Sequence, residues 1–330
     1  DPSRPLQLDT NRFVHQQLPV RLAHAMLQIE ETRARDGPQG AWFERLGQAC
    51  ETFCQSVQTL NPSQPQFVDQ IEVHLAEFGA SLEVGRAADL QLWLRALATT
   101  QPSQYHSFQQ AIQRMFQALT VARLLVMSAK YLQHKVSEST AEPPRRPAVP
   151  TDIHELATRA AGDAHSVCVG KYGWAPEVKV SAVPGSPPQP HALFVRPFMH
   201  YVFFEVLKNC MQAVAERHEA LHGDDGEPEP ISIMTSETTH YVGIKISDTG
   251  GGMPLTTARH AFDYFYTTAP VLDPAAWSAE VGPPMQGYGV GLSMSRLYCE
   301  LAGGGMTLSP LLGHGTDVVI HLRKDGSTLF

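Results

Sequence analysis

Three short segments in the second half of the chain combine glycine with acidic and amide side chains. In chain order they are residues 205–209 (EVLKN), 247–252 (SDTGGG) and 287–292 (GYGVGL). A glycine run lets backbone N–H groups and a bulky ligand come close, and ahead of an apolar helical stretch it forms an anion site at a helix N-terminus. Any one segment alone is weak evidence, because glycine-rich turns occur in many folds. Together and in this order, the three segments predict a nucleotide site with the triphosphate as the anion.

The middle segment carries the residue best suited to recognise a base. It ends an alternating strand over residues 241–247, which holds Asp248 at the mouth of the strand. A carboxylate in that place can accept a hydrogen bond from the exocyclic amine of adenine, and residues 250–252 (GGG) let the ring lie against bare backbone. The alternative is an ordinary turn after a strand, which the two partner segments disfavour.

The first segment places two functional groups on one helix. Glu205 and Asn209 are four residues apart in a helical apolar stretch, so they share one face. An amide oxygen suits Mg²⁺ that bridges phosphates, and a carboxylate one turn away can orient or deprotonate an attacking hydroxyl or water. The alternative, a surface Glu and a helix-terminal Asn, fits an apolar helix poorly because a buried carboxylate is costly without a task or partner.

The order of these segments resembles that of the Bergerat-type (GHKL) ATPases, the fold shared by Hsp90, DNA gyrase, MutL and histidine kinases. Within that group it is most similar to the mitochondrial protein kinases that phosphorylate serine on 2-oxoacid dehydrogenase complexes. Residues 205–211 (EVLKNCM) resemble their E-L-x-K-N-A-M box, and residues 291–298 (GLSMSRLY) resemble their G-L-P-x-S-R-x-Y. Residues 18–24 (LPVRLAH) and 315–317 (GTD) extend the resemblance over nearly the whole chain.

Two members of this family compete, the branched-chain 2-oxoacid dehydrogenase kinase and the pyruvate dehydrogenase kinase. Residues 171–176 (KYGWAP) and 263–269 (DYFYTTA), with the short tail at 322–326, are more similar to the branched-chain enzyme. The resemblance therefore implies transfer of the γ-phosphoryl of Mg·ATP to a serine of the branched-chain E1α subunit, with pyruvate dehydrogenase as the alternative substrate. It further implies binding to the lipoyl domain of the E2 core, a homodimer and a place in the mitochondrial matrix.

Residue matching to the family implies the remaining roles. Glu205 becomes the general base. The nucleotide site consists of Asn209, which also holds Mg²⁺, with Asp248, Gly252, Thr267, Thr268, Gln286, Gly287, Gly289, Val290, Gly291, Leu292 and Thr316. A K⁺ site consists of Ala261, Asp263, Tyr266 and Gly289, and residues 263–287 correspond to the ATP lid. The chain departs from the family at Gln212, Thr249 and Ser293, none of which is the expected base or a metal ligand.

Composition sets broad limits on the function. The chain has 330 residues, of which 43% are hydrophobic and 18% charged, as in an ordinary globular protein large enough for two domains. A net charge of −8 disfavours nucleic acid as a partner, and without a run of about 18 apolar residues nothing predicts a membrane span. Five scattered cysteines indicate reduced core thiols, although Cys50 and Cys54 share a helical face that could bind metal. The chain begins at Asp1 without methionine or a presequence, as expected of a processed or a truncated protein.

The pattern along the chain predicts an α+β protein with two domains. Residues 1–136 have helical periodicity and predict a regulatory and partner-binding four-helix bundle with a short leading helix. Residues 137–150 are rich in proline and predict a linker. Residues 151–330 predict the ATP-binding kinase domain, an α/β sandwich. Its strands are expected at residues 177–183, 231–235, 241–247, 306–309 and 316–322.

Two other functions compete with that of a serine kinase. A histidine kinase needs a phosphoaccepting histidine that is usually followed by an acidic residue, whereas His106 is followed by Ser107, which favours a structural role for His106. A regulatory scaffold that binds nucleotide without transfer is disfavoured because Glu205 and Asn209 are both present. An ordinary protein kinase is excluded, since the chain has neither the P-loop lysine nor the H-R-D and D-F-G motifs.

Overall fold

The computed structural model describes residues 3–31, 40–81, 88–136, 148–221, 228–268 and 289–325. These residues fall into two compact units. The first comprises the described residues of Asp1–Pro147, and the second comprises those of Ala148–Ala269 and Ala275–Phe330. Among the described residues, no helix combines the length and the apolar character needed to cross a membrane.

The first unit contains five helices within its described residues. They are α1 (Ser3–Glu31), α2 (Gly40–Thr59), α3 (Phe67–Ser81), α4 (Ala88–Thr100) and α5 (Pro102–Val136). Helices α1 and α3 each pack against both α2 and α5, which closes a four-helix arrangement, and α4 packs against α5. The predicted helical bundle is confirmed.

The expected short leading helix is wrong, because α1 is 29 residues long. Its buried residues Val14, Leu18, Leu22 and Ile29 recur at intervals of one or two turns, so one apolar stripe continues along the helix. The proline inside it, Pro19, does not end the helix. Packing of this stripe against α2 and α5 therefore outweighs the helix-breaking tendency of one residue.

The second unit contains a five-stranded sheet. In chain order its elements are β1 (Val149–Asp152), α6 (Ile153–Tyr172), β2 (Val178–Ala182), β3 (His191–Phe194), α7 (Arg196–Ala220), β4 (Ile231–Glu237), β5 (Tyr241–Asp248), α8 (Leu255–Ala258), α9 (Gly291–Leu301), β6 (Gly305–Leu311) and β7 (Gly315–Arg323). The sheet has the order β2-β4-β5-β7-β6, with only the β2–β4 pair parallel. Helix α7 packs against α6, α9 and β5, so helices and sheet form two layers. The predicted α+β fold class is confirmed.

Alternation along the strands explains which face carries the helices. In β5 the side chains of Val242, Ile244 and Ile246 are buried, whereas Lys245 and Ser247 between them are half-exposed. The buried set joins one core with apolar residues of α7, among them Phe203 and Leu207. Every second residue of β5 is therefore buried against α7. Asp248 falls on the buried side of this alternation, so its side chain lies in the interior.

All five predicted strands are present, with ends shifted by a few residues. Two further strands were missed: β1 and β3 pair antiparallel, from Val149 opposite Phe194 to Asp152 opposite His191. Each has only four residues, too few for an alternating pattern to stand out. Of the predicted linker at 137–150, residues 137–147 lie outside the described residues. Its last two residues, Val149 and Pro150, belong to β1 instead. A proline fits there because a two-stranded ribbon consists of edge strands.

The five cysteines are free, and four of them are buried. Burial, with a smaller contribution from Cys54, raises the pKa of the Cys50 thiol to about 12. A thiol with so high a pKa is largely protonated at neutral pH and is therefore a poor nucleophile. This agrees with the expectation of reduced core thiols.

Candidate functional site

A cavity of about 620 Å³ in the second unit is lined by α7, the start of α9, the end of β5 and residues of β6 and β7. This volume is typical of a site for a small organic ligand. Most of the predicted site residues line it: Glu205, Asn209, Asp248, Gly252, Ala261, Tyr266, Thr267, Thr268, Gly289, Gly291, Leu292 and Thr316. Among the described residues, Val290 and Asp263 are the predicted ones that do not line it. Gln286 and Gly287 lie outside the described residues, as does most of the predicted lid.

Helix α7 brings the predicted base and metal ligand together. It begins after Val195 with a proline in its first turn, where no backbone N–H is missed. Glu205 and Asn209 both line the cavity, one turn apart. Asn209 is exposed, whereas Glu205 is only 9% exposed.

The buried Glu205 has a buried partner that the sequence analysis did not single out. Lys208 Nζ donates to Glu205 Oε1 at 2.9 Å, and Lys208 is only 4% exposed. The same ammonium lies 5.4 Å from the centroid of the Phe204 ring. An ion pair in the interior compensates part of the cost of burying both charges, so the carboxylate can remain in an apolar helix. The contact also fixes the orientation of the carboxylate.

The start of α9 lies directly against Glu205. A Cβ atom on Gly291 would overlap Glu205 Oε2, so only glycine lets the carboxylate and the helix start approach so closely. Val290 occupies the N-cap position without a side-chain cap. The hydroxyls of Ser293 and Ser295 donate to the carbonyls of Val290 and Gly291 instead. The first N–H groups of α9 therefore offer positive partial charge to the cavity, which suits an anion.

Asp248 supplies a buried acceptor at another part of the cavity. It is 8% exposed, and the N–H of Gly250 donates to its Oδ1 at 2.8 Å. Burial raises the pKa of this carboxyl, and this outweighs hydrogen bonds from Gly250, the Cys210 thiol and the Thr316 N–H that favour the ionised form. Burial and the nearby Asp248 charge also raise the pKa of the Cys210 thiol, which stays protonated and able to donate.

Helix α7 sets the spacing between the Glu205 and Asp248 carboxylates, because it carries Glu205 and also contacts Asp248. Cys210, which contacts Asp248, lies five residues after Glu205 on the same helix. At the rise of an α-helix, the two attachment points are about 7.5 Å apart along its axis. This spacing matches a ligand with a base near Asp248 and phosphates near Glu205 and α9.

Two glycines have a conformation that other residues rarely adopt. Gly252 has φ +64°, with its Cα packed against the carbonyls of Leu311 and Gly315. Gly289 has φ +77°, and a Cβ on it would overlap the Tyr266 carbonyl. Both require glycine because of their backbone angle and their close contacts. The second contact brings two residues of the predicted K⁺ site together.

The other two residues of the predicted K⁺ site, Ala261 and Asp263, are brought together with Tyr266 and Gly289 only in part. Ala261 lines the cavity with Tyr266 and Gly289. The Asp263 carboxylate contacts His260 Nδ1 at 2.6 Å, and its carbonyl accepts the Tyr266 N–H at 3.3 Å. Within the described residues, no group of three or more His, Cys, Asp or Glu side chains could hold a metal ion.

One further residue of the cavity was missed in the sequence. Arg217 lines it, and its guanidinium donates to the carbonyls of Thr249, His314 and Gly313. The cavity stripe on α7 runs through Glu205, Asn209, Ala213 and Arg217, with a residue every fourth position. Extending the Glu205–Asn209 spacing along the helix would therefore have led to Arg217.

Comparison with known proteins agrees with this geometry. Residues 195–326 match the family described as histidine kinase-, DNA gyrase B-, and HSP90-like ATPase. The chain is 36% identical over 181 residues to the mitochondrial pyruvate dehydrogenase (acetyl-transferring) kinase of Arabidopsis thaliana, which covers 53% of this chain and 46% of the relative. It is 35% identical over 176 residues to isozyme 4 of that kinase from Homo sapiens, which covers 52% of this chain and 41% of the relative.

The matching kinase of Schizosaccharomyces pombe is 34% identical over 196 residues, which covers 56% of this chain and 44% of the relative. The matched part thus spans less than half the length of each of these curated relatives. Residues 195–326 contain α7, the glycine segments and the strands that line the cavity. Residues 195–326 are therefore similar to a histidine kinase-, DNA gyrase B-, and HSP90-like ATPase domain, and about half of the chain is similar to mitochondrial pyruvate dehydrogenase kinases.

Proposed function

We propose that the chain is an ATP-dependent protein kinase that transfers the γ-phosphoryl group of Mg·ATP to a serine of the E1α subunit of a 2-oxoacid dehydrogenase complex. One observation carries the proposal. A single cavity joins a buried acceptor, Asp248, with a carboxylate, Glu205, that lies against the uncapped start of α9. The first suits an adenine amine, and the second lies where phosphates would bind.

Asp248 is the residue proposed to recognise the base. One of its oxygens accepts the Gly250 N–H, and the thiol of Cys210 and the N–H of Thr316 also donate to this carboxylate. These donors fix its rotamer and leave acceptor capacity for the adenine amine, since an ionised carboxylate has about four acceptor sites. The apolar side chains of Leu308 and Val318 also line the cavity and offer surface for the ring.

Glu205 is the proposed general base. Lys208 holds Oε1, while Oε2 lies at the start of α9, so the second oxygen is the one available to take the serine proton. The N–H groups at the start of α9 are proposed to donate to phosphate oxygens, on which charge develops during transfer. Thr267 and Thr268, which also line the cavity, offer hydroxyls to the same phosphates.

Asn209 is proposed to hold Mg²⁺ through its amide oxygen. It lines the cavity one turn from Glu205, and a magnesium ion typically takes only one or two protein ligands, with phosphates and water completing its shell. When bound, the ion would neutralise charge on the phosphates. A K⁺ site from the oxygens of Ala261, Asp263, Tyr266 and Gly289 is proposed as well, supported by the contact of the Tyr266 carbonyl with Gly289.

The branched-chain E1α is the proposed protein substrate. Residues 171–176 and 263–269 support it through their resemblance, whereas the relatives described above are named pyruvate dehydrogenase kinases and make that complex the second candidate. The proposal also includes binding to the lipoyl domain of E2, a homodimer and the mitochondrial matrix. The mitochondrial names of the relatives support the organelle.

The test is to incubate the chain with radiolabelled ATP and either E1α, with and without the E2 core. We expect an acid-stable, alkali-labile phosphoester, formed faster on branched-chain E1α than on pyruvate dehydrogenase E1α. Faster labelling of the pyruvate substrate would reverse the substrate assignment alone. An absence of label on both would leave the regulatory scaffold as the function.

The same assay decides the histidine kinase alternative. His106 is exposed on α5, where its Nε2 lies 2.8 Å from Gln110 Nε2. If this residue were the phosphoacceptor, the chain would label itself with an acid-labile phosphoramidate that disappears in His106→Ala. We expect no such label.

A further inference from the structure

Arg217, in the last turns of α7, joins three segments around the cavity. Its Nη1 donates to the carbonyls of Thr249 and His314, both at 2.7 Å, and its Nη2 donates to the Gly313 carbonyl at 3.2 Å. Thr249 directly follows Asp248, whereas Gly313 and His314 form the turn between β6 and β7. One guanidinium therefore holds the loop after β5 and the β6–β7 turn to α7.

Backbone contacts join the same loop and turn. The Gly251 N–H donates to the His314 carbonyl at 3.1 Å, and the Gly313 N–H donates to the Gly251 carbonyl at 2.7 Å. Gly315 packs so closely on the Asp248 carbonyl that a Cβ there would overlap it. The backbone around Asp248 is thus held by close backbone contacts. The Arg217 side chain adds three hydrogen bonds to the same loop and turn.

We infer that Arg217 is a positioning residue for base recognition, which keeps Asp248 where its carboxylate meets the exocyclic amine of adenine. The inference rests on the nucleotide binding proposed above. Three carbonyl oxygens converge on the guanidinium, and a planar fork with five donors can satisfy them together. Without the fork, the residues that follow Asp248 lose their hydrogen bonds to the Arg217 side chain. A small displacement then lengthens the hydrogen bond to the amine, whose strength falls steeply with geometry.

This role makes a different prediction from that of a simple structural brace. A brace that only stabilised the fold would weaken every nucleotide by the same factor. A residue that positions Asp248 affects only nucleotides with an amine at position 6 of the purine. ADP and inosine diphosphate (IDP) differ only at one edge of the purine, where IDP has a carbonyl at position 6 in place of the amine and a proton on N1, so the ratio of their dissociation constants separates the two roles.

The experiment measures Kd for Mg·ADP and Mg·IDP by calorimetry in the wild type, Arg217→Gln and Arg217→Lys. We expect Arg217→Gln to raise the Kd for ADP about tenfold and that for IDP less than about twofold, the scale of one hydrogen bond to a charged group. Arg217→Lys keeps the charge without the fork and should give an intermediate ratio. Arg323→Gln is the control, because Arg323 pairs with Asp325 at the other end of β7 from Thr316, and neither Kd should change.

Equal weakening of ADP and IDP, or an unchanged Kd for ADP, in the Arg217 variants overturns the inference. If Arg217→Gln does not fold, the ratio in Arg217→Lys decides by the same criterion. A wild type that prefers ADP over IDP while both Arg217 variants keep that preference refutes this inference and leaves the proposed function standing. A wild type that binds neither nucleotide refutes both.

Discussion

Replacement of Lys208 by methionine should destabilise the second unit far more than the loss of a typical ion pair. The Lys208 and Glu205 side chains are 5% and 11% exposed, and their charged atoms lie 2.9 Å apart. At an effective dielectric constant of about 20, their attraction is about 6 kcal/mol. That attraction is offset by a desolvation cost of several kcal/mol for each ion, so the intact pair contributes little net stability.

Lys208→Met removes the attraction between the two charges but leaves the free-energy cost of burying the Glu205 carboxylate. We expect Lys208→Met to lower the free energy of unfolding of this unit by about 3–5 kcal/mol. The double variant Glu205→Gln/Lys208→Met removes both charges and should recover all but about 1 kcal/mol of that loss. Hydrogen exchange of peptides from α7 measures the free energy of opening of this unit separately from the helical unit.

Lys179→Met is the matched control, because Lys179 pairs with Glu177 at 3.3 Å with both side chains more than 60% exposed. Its effect should stay below about 1 kcal/mol. A loss below about 1 kcal/mol in Lys208→Met, or a double variant no more stable than the single one, would refute the buried ion pair.

Three further outcomes concern the cavity. Burial raises the pKa of Asp248 above its ordinary 3.8, so the folded state binds this proton more tightly than the unfolded state. The wild type should therefore lose stability relative to Asp248→Asn as pH rises from the unfolded to the folded pKa, with a constant difference above it, as measured by urea unfolding across pH. Asn209→Ala should weaken Mg·ATP at least tenfold but leave metal-free ATP nearly unchanged in calorimetry, and equal weakening of both would remove Asn209 as the metal ligand. Gly291→Ala places a methyl group on the Glu205 carboxylate and should lower phosphoryl transfer at least tenfold, whereas Gly170→Ala, where a Cβ meets nothing within 4 Å, should not.

The sequence was sufficient for the features that depend on local pattern. Alternation over residues 241–247 predicted β5 and placed Asp248 at its end, because a half-buried strand shows its period directly. Glu205 and Asn209 were predicted to share a helical face and both line the cavity. The glycine segments indicated an anion site at a helix start, and α9 begins at Gly291.

Features that depend on tertiary contacts could not be read from the same patterns. The Arg217 guanidinium bonds to carbonyls 32 to 97 residues away in the chain, and carbonyls have no sequence signature. The close approach of Gly291 to the Glu205 carboxylate likewise exists only after α7 and α9 pack together. A short leading helix was expected, whereas packing against α2 and α5 sustains a helix of 29 residues through Pro19.

The central claim is that Glu205 removes the proton of the serine that receives the phosphoryl group. The most direct test compares wild type and Glu205→Gln at saturating Mg·ATP, with phosphate on E1α located and quantified by mass spectrometry and the Kd for Mg·ATP measured in parallel. General-base catalysis predicts phosphoserine formed about 10²-fold or more slowly by the variant, with a Kd within a few-fold of the wild type. Equal rates of phosphoserine formation by the two proteins would contradict the claim.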